Sequence, residues 1–453
     1  MSELLAARAQ MGTSLAFHII FSVLGVGLPL LLCISEGLAL KNKDATWMAL
    51  TRRWTKAAAI LFVIGAVSGT IISFELGLLW PTYIKYSGQV IGLPFMLEGF
   101  AFFLEAIFFG LYLYGWNRLT PLAHWLCSFP IWIGGLASAW FIVSANAWMN
   151  TPAGFVFKNG KVTDINPLQA IFNPSTPYET IHMILASYVV TGFAVAAVYA
   201  FAMLRGKRDD YTRKGLALGM ALALIATPLQ IFSGDANARF LAQAQPTKFA
   251  AMEALFQTQA GPSLKVGGLI DPNTGQVYYA LEIPHGESLL VNGNLNSVVK
   301  GLDAFNRQDW PNVPLVHYSF DGMVGSGFFI LLVAAAFWLL FLRKKRTVPE
   351  NKLLMLGVLI SAPLAFLAVI LGWMTTEEGR QPWVIYGILR TRDAVTTAPW
   401  LNISFLIFSC VYVLLSIALV RLLIGVARSP RAEIDWSDEQ PVAIEPEAER
   451  AGV

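Results

Sequence analysis

Charged residues are scarce in this chain of 453 residues. Asp, Glu, Lys and Arg together make up 13% of the sequence, whereas hydrophobic residues make up 56%. A soluble domain cannot bury that much apolar surface, so the composition excludes an ordinary soluble protein and indicates a polytopic membrane protein. The sequence also lacks a Walker or GxGxxG phosphate loop and a basic, aromatic patch, so we expect no nucleic-acid partner.

Cysteine is scarcer still. Cys33, Cys127 and Cys410 are the three cysteines, all within apolar runs and without paired spacing. We therefore expect small buried apolar side chains rather than disulfides or metal ligands.

Long apolar runs are what the chain has in abundance. Each run has about twenty residues or more, which is enough to cross a bilayer as a helix. The predicted spans are roughly 11–39, 55–79, 93–116, 122–149, 179–204, 215–233, 317–342, 352–374 and 399–427. The first run is too long, and its flank too weakly basic, for a cleaved signal peptide. The prediction is an all-α membrane protein with about nine transmembrane helices, six in residues 1–233 and three in 317–428.

Basic residues cluster in alternate loops, at 41–56, 205–214 and 343–346. The positive-inside rule makes these loops cytoplasmic, which puts the N-terminus outside and the C-terminus inside. The tail 429–453 is acidic and contains proline. Its composition predicts disorder.

One segment between the spans is long, residues 234–316, and this topology places it outside. Its sequence predicts a helix after Pro246 and two short strands around the turn "DPNTG". A loop of this length in a compact chain is usually functional or disordered. Its aromatic and apolar content favours an ordered segment.

Several ionisable or sulfur-containing side chains in the apolar runs, or just after them, lie toward the predicted outer face. They are His18, Glu98, His182, Met323 and Glu377. Glu105 lies about 10 Å deeper than Glu98 and on the same face of the third span. Because polar groups inside a membrane are costly, we treat these positions as functional candidates.

Haem chemistry can use histidine, methionine and glutamate in such a setting. A His/Met pair gives a six-coordinate iron, and a single protein ligand leaves a position open for oxygen. The alternatives are a hydrogen-bonded core histidine, a methionine that fills space, and two glutamates that relay protons or form a buried pair. His317 competes with Met323 as a ligand because it opens the same span. His124 and His285 are expected to be incidental.

The stretch "GWMTTEEGRQPW" at 372–383 is similar to the signature GW-x-x-x-E-x-GRQPW of subunit I of cytochrome bd-type quinol oxidases. Further stretches match the family in order: "FHIIF", "LEGFAFFLEAIFFGLYLYGW", "ANAWMN", "IHMILASYVVTG" and "TKFAAMEA". The outer segment resembles the short quinol-loop branch. The sequence departs from better-known members in the spacing of Glu98 and Glu105, which is seven residues rather than eight, and in Asp321, where some members carry arginine.

The resemblance implies three haems. His182 and Met323 would be the axial ligands of a low-spin b-type haem. His18 and Glu377 would each ligate one of two high-spin haems, one of b type and one of d type. A b-type haem in place of the d-type haem, as in the cyanide-insensitive type, is an open alternative. Trp373 would form part of a haem wall.

The resemblance also implies roles for the remaining candidates. Glu98 would lie beside the His18-ligated haem, and Glu105 on a proton route. Lys248 and Glu253 match the quinol-loop pair, and Arg380 would face haem propionates, which it can bind bidentately.

The function that the resemblance implies is that of a terminal respiratory oxidase in the bacterial inner membrane. It would oxidise ubiquinol or menaquinol and reduce O2 to water, and vectorial proton uptake would generate a membrane potential. A second, smaller membrane subunit and membrane lipid would be its partners. Two alternatives stay open: a non-catalytic b-type cytochrome that passes electrons between quinone and a partner, and a proton-coupled transporter.

Overall fold

The computed structural model describes residues 2–158 and 160–432. Within these ranges, nine helices of 28 to 40 residues are long and apolar enough to cross a membrane, as the sequence predicts. They are α1 (Glu3–Asn42), α2 (Ala45–Leu79), α3 (Pro81–Tyr114), α4 (Pro121–Asn150), α6 (Thr176–Leu204), α7 (Asp210–Ala244), α10 (Val313–Arg343), α11 (Lys352–Arg380) and α13 (Leu401–Arg428). The predicted disordered tail lies mostly outside the described residues.

The helices are longer than the apolar runs because local caps, rather than hydropathy, set their ends. Asp44 accepts hydrogen bonds from the backbone N–H groups of Thr46 and Trp47 at the start of α2. Asp209 and Asn351 cap α7 and α11 in the same way. Such caps satisfy backbone donors that would otherwise lack partners.

The helix bundle is built around α1 and α6. Helix α1 packs on α2, α4, α6 and α13, and α6 packs on α7 and α11, which in turn packs on α10. Helices α6 and α7 approach closely, since a Cβ at Gly192 would lie 2.7 Å from the Ala223 backbone nitrogen. Small residues at such crossings permit backbone contact between membrane helices.

Helix α13 lies at the edge of the bundle and buries only Leu401 and Tyr412 among its residues. This position corrects the expectation for Cys410, which is exposed rather than buried, whereas Cys33 is buried and Cys127 is intermediate. All three cysteines are free, as predicted.

The segment after α7 is ordered, as expected, and contains the predicted helix and strands. The strands that flank the DPNTG turn pair antiparallel, with Leu269 opposite Tyr278. The elements are α8 (Pro246–Met252), β3 (Gln259–Ala260), β4 (Leu264–Val266), β5 (Leu269–Asp271), β6 (Gln276–Tyr278), β7 (Leu281–Ile283), α9 (Gly286–Asn292), β8 (Val298–Val299) and two 3₁₀ turns, Leu302–Ala304 and Arg307–Asp309. Phe249, Phe256 and Leu302 contribute to a separate apolar core in this segment.

Two shorter segments complete the same end of the bundle. One follows α4 and the other follows α11. Their elements are β1 (Val156–Lys158), β2 (Lys161–Thr163), α5 (Pro167–Ile171), β9 (Trp383–Ile385), β10 (Leu389–Arg390) and α12 (Thr391–Ala394). The basic loops lie at the opposite end, where Lys214 contacts Asp44 and Arg213 contacts Glu350. This separation agrees with the predicted topology, while the orientation of the termini in the membrane stays a prediction.

Candidate functional site

His18 on α1 faces α2. Its Nδ1 lies 3.0 Å from Ser68 Oγ. The Ser68 hydroxyl donates to the carbonyl of Ile64 or Gly65, so its oxygen accepts from His18 Nδ1–H. The proton on Nδ1 leaves Nε2 with the lone pair that a metal requires.

His182 on α6 faces α7. Its Nε2 lies 2.9 Å from Gln230 Nε2, and its Nδ1 lies 3.3 Å from Ser233 Oγ. An amide nitrogen can only donate, so His182 Nε2 is the acceptor and again carries the lone pair. The Gln230 Oε1 atom is buried without a hydrogen-bond partner among the described residues. A displaced Gln230 side chain would free His182 Nε2 for iron.

Met323 on α10 faces α11. A Cβ at Gly372 would lie 3.0 Å from Met323 Sδ. The same relation holds for the two histidines, since a Cβ at Gly69 would lie 3.0 Å from His18 Cε1 and one at Gly234 would lie 3.3 Å from His182 Cε1. Each of the three side chains therefore lies against a glycine of a neighbouring helix.

These environments fit haem better than a metal ion held by the protein alone. In the described parts of the chain, no three His, Cys, Asp or Glu side chains form a group that could hold a metal ion. A porphyrin supplies four equatorial ligands of its own, so one or two protein ligands are enough. Separate single ligands backed by glycines satisfy that requirement.

His317 does not fit the role of ligand that the sequence left open for it. Its Nδ1 lies 2.7 Å from the Met252 carbonyl oxygen, and its Nε2 lies 3.2 Å from the Gly267 carbonyl oxygen and 3.3 Å from Asp321 Oδ2. Both ring nitrogens therefore face protein oxygen atoms. His317 fastens α10 to the segment that contains α8 and β4.

Glu377 lies near the end of α11, and its carboxylate has two protein partners. Asn146 Nδ2 donates to Oε1 at 2.7 Å, and Arg380 Nη2 donates to Oε2. A carboxylate has about four lone-pair sites, so these bonds leave capacity for a metal. The Arg380 side chain is only 2% exposed, and its Nε has no partner among the described residues. Arg380 thus keeps a buried donor available for a further anionic group.

Asn150, the last residue of α4, connects four elements in a way that the sequence did not predict. Its Oδ1 accepts from Lys248 Nζ at 3.0 Å and from Arg380 Nη1 at 3.2 Å. Its Nδ2 donates to Glu179 Oε1 at 2.8 Å, and its backbone carbonyl accepts from Gln245 Nε2. The signals in the sequence were the family-matching stretch "ANAWMN", which ends at Asn150, and the position of Asn150 and Glu179 at the predicted ends of spans four and five.

Lys248 and Glu253 are both buried, at 2% and 7% exposure, and they face different neighbours. Burial lowers the pKa of Lys248 to about 7, against the opposing effect of the Glu179 carboxylate. Burial raises the pKa of Glu253 well above its usual value, and the neighbouring Glu287 carboxyl adds to this effect. Burial therefore favours the uncharged form of both side chains.

Glu98 and Glu105 both face α4. Ser138 Oγ donates to Glu98 Oε1 at 3.3 Å. Glu105 is 6% exposed, and a Cβ at Gly135 would lie 3.6 Å from its Oε2. The two carboxyls therefore lie one above the other along the α3–α4 contact, as the seven-residue spacing predicts.

His124 is not the incidental residue that the sequence suggested, although it is no ligand. It is 2% exposed, and its Nδ1 lies 2.7 Å from Glu36 Oε1. The Tyr112 hydroxyl donates to the other Glu36 oxygen. This buried cluster joins α1, α3 and α4 at the end that carries the basic loops. His285, by contrast, lies exposed in the long segment.

An open cleft of about 480 Å³ lies beside Arg380 and the network around Asn150, at the end of the bundle opposite His124. Its lining includes Thr247, Phe305, Arg380, Trp383 and Tyr386. Trp373 lies about two turns before Arg380 on α11. It packs against the main apolar core instead of lining the cleft.

The sequence matches the family model of cytochrome bd terminal oxidase subunit I over residues 6–430. A Bacillus subtilis chain assigned as a cytochrome bd menaquinol oxidase subunit I is 38% identical over 430 residues, which cover 94% of this chain and 96% of that protein. The Escherichia coli cytochrome bd-II ubiquinol oxidase subunit 1 is 29% identical, with 96% and 98% covered. The solved bd oxidase structure from Geobacillus thermodenitrificans superposes with a TM-score of 0.89 at 38% identity, covering 94% of this chain and 99% of that chain.

Proposed function

The chain belongs to the family of cytochrome bd terminal oxidase subunit I, and on that premise we propose which chemistry its residues carry out. It is a membrane-embedded quinol oxidase subunit that carries haem. We assign it to the bacterial inner membrane, in contact with lipid and with a second, smaller subunit. Its substrates are O2 and either ubiquinol or menaquinol.

His182 and Met323 hold a low-spin b-type haem, and His18 and Glu377 each hold one high-spin haem. The third haem is of d type or, as in the alternative set out above, of b type. When bound, the haems supply one-electron transfer and, at an open coordination position, oxygen reduction. The observation that carries this assignment is the Ser68 contact, since it leaves the metal-binding nitrogen of His18 free.

The contacts around Glu377 support a second part of the proposal. Arg380 holds one Glu377 oxygen and keeps Nε free, so it orients the carboxylate and can also bind a propionate. Asn146 holds the other oxygen. These two residues thus keep the Glu377 carboxylate in one orientation. Trp373, on the same helix as Glu377, packs against the main apolar core.

Quinol is oxidised at the segment that carries Lys248 and Glu253. Both side chains lie in or next to α8, which His317 ties to the helix of Met323. Lys248, with a pKa near neutrality, can donate a hydrogen bond to a quinol oxygen, and Glu253 can accept a quinol proton once its own proton has left. Burial of both groups supports binding of an apolar headgroup rather than a charged substrate.

Glu98 and Glu105 form the upper part of a proton route from the cytoplasm. They lie on the same face of α3, about 10 Å apart along the helix. Protons taken from inside for water formation, together with quinol protons released outside, would generate membrane potential without a pump.

Reduced-minus-oxidised spectra of the purified oxidase, with and without carbon monoxide, test the proposal. We expect one low-spin signal that carbon monoxide leaves unchanged and at least one high-spin signal that it shifts. A protein whose entire spectrum ignores carbon monoxide would be the non-catalytic cytochrome instead. A chlorin band would identify the third haem as d type.

A further inference from the structure

Glu287, the second residue of α9, is a buried acid that none of the roles above uses. It is 1% exposed. Both of its carboxylate oxygens are buried, and neither has a hydrogen-bond donor among the described residues if every carboxyl is ionised. An unpaired buried charge is costly, so the surroundings of Glu287 must supply a proton or a cation.

The neighbour that meets this need is Glu253. The Glu253 and Glu287 carboxyls lie within hydrogen-bond contact of each other. Two carboxylates cannot form a hydrogen bond, because neither has a proton to donate. The contact therefore requires one carboxylic acid and one carboxylate, with Glu253 as the donor and Glu287 as the acceptor.

The other charged groups around the pair favour this arrangement. Asp321 on α10 adds a further negative charge near Glu253, and His317 is held between Asp321 and the Met252 carbonyl. Helix α7 packs on α9, and its Asp235 and Arg239 pair with each other. Within the described structure, no basic side chain forms an ion pair with Glu253 or Glu287.

Helix α9 is held firmly enough to keep the two carboxyls together. A Cβ at Gly286 would lie 2.8 Å from Leu264 Cβ, so the start of α9 packs directly on β4. Ser288 Oγ donates to the Ser297 carbonyl, and Ser297 Oγ lies 3.3 Å from the Ser288 carbonyl. The position of Glu287 is therefore fixed by its neighbours on both sides.

We propose that Glu287 is the second carboxyl of a proton-accepting pair with Glu253, and that the pair takes up protons released by quinol oxidation. The inference rests on the proposed quinol site at Glu253. Glu287 is a positioning residue that acts through Glu253.

Oxidation of quinol to quinone breaks two O–H bonds and releases two protons and two electrons. The pair starts with one proton and one negative charge, so it binds one quinol proton to become neutral. It then passes that proton to outside water and can accept the next one. The bound haems would accept the two electrons.

A single buried carboxyl would perform this task less well. Burial raises the pKa of Glu287 to about 7 even though the hydrogen bond from Glu253 opposes the rise. Two interacting carboxyls titrate in separate steps, so one stays protonated while the other stays free to accept. The pair therefore has one proton vacancy near neutral pH.

Glu287→Gln in the assembled oxidase tests the inference through the pH dependence of kcat/KM for quinol. The fully protonated pair cannot accept a proton, so the acidic limb reports the first ionisation of the pair, which the hydrogen bond between the two carboxyls favours. Without Glu287 the buried Glu253 must ionise alone, and we expect the acidic limb of the profile to move up by about one pH unit or more. Glu282→Gln, an exposed change in neighbouring β7, is the matched control and should keep the wild-type profile. Glu287→Asp should restore it in part.

An infrared measurement reads out the pair independently of turnover. The carboxylic-acid C=O band assigned to the pair should be lost in Glu253→Gln and should shift in Glu287→Gln. A Glu287→Gln profile parallel to the wild type, with the infrared band unchanged, would overturn the inference. If Glu253→Gln leaves quinol oxidation intact, the quinol assignment itself fails, whatever the infrared result.

Discussion

The close contact between Gly372 and Met323 predicts that Gly372→Ala lowers the reduction potential of the low-spin haem. In Gly372→Ala, the new Cβ would push Met323 Sδ from 3.0 Å to at least 3.4 Å, where ordinary contact begins. Overpacking costs about 1–3 kcal/mol, and the flexible methionine places this case near the lower limit. Because a thioether ligand raises the haem potential, a weakened Met323 bond should lower it. About 1 kcal/mol of strain corresponds to about 40 mV for one electron.

A redox titration of the low-spin haem in the purified oxidase measures this shift. The matched control is Gly327→Ala on α10, where a Cβ would meet nothing within 4 Å. Both variants gain the same helix propensity, about 1 kcal/mol, so only the Met323 contact distinguishes them. Equal potentials in the two variants would show that Met323 does not bind the low-spin iron in the orientation described.

Two further predictions concern groups that support the site. Ser68→Ala removes the acceptor of His18 Nδ1–H and should weaken haem retention at that site about 10- to 100-fold. Ser22→Ala, on the same helix as His18, is the control. Equal haem content in the two purified variants would contradict the assignment. Asn150→Ala leaves buried Lys248 without its hydrogen-bond acceptor and should cost about 2 kcal/mol or more in thermal unfolding experiments, whereas an unchanged unfolding midpoint would show that the network is dispensable.

The helical fold could be predicted because membrane-spanning helices appear in the sequence as long apolar runs. An apolar run of about twenty residues has few alternatives to a helix in lipid, so all nine spans were identified. Their ends were not, because capping side chains and packing outside the lipid extend them. Helix α7 continues to Ala244, into the segment that hydropathy assigns to the long loop. The DPNTG turn was predictable because its chemistry is local.

The positions of the candidate residues along their helices could be predicted from the sequence, but their hydrogen-bond partners could not. Sequence spacing locates His317 and Met323 on the same span, yet only three-dimensional contacts reveal that both His317 nitrogens face protein oxygens. The Asn150 network joins residues that are far apart in sequence, so no local pattern indicates it. Glu287 was missed because an acidic residue between membrane spans is ordinarily exposed, whereas here it is 1% exposed.

Helix α8 explains why the long segment must be folded. At one end of it, Lys248 binds Asn150, which also receives Arg380, the partner of Glu377. At the other end, the Met252 carbonyl accepts from His317, two turns before Met323 on α10. One short helix thus contacts the polar network of Glu377 and the span that carries Met323. A substrate bound at α8 would lie between the two, whereas a disordered loop could connect neither of them.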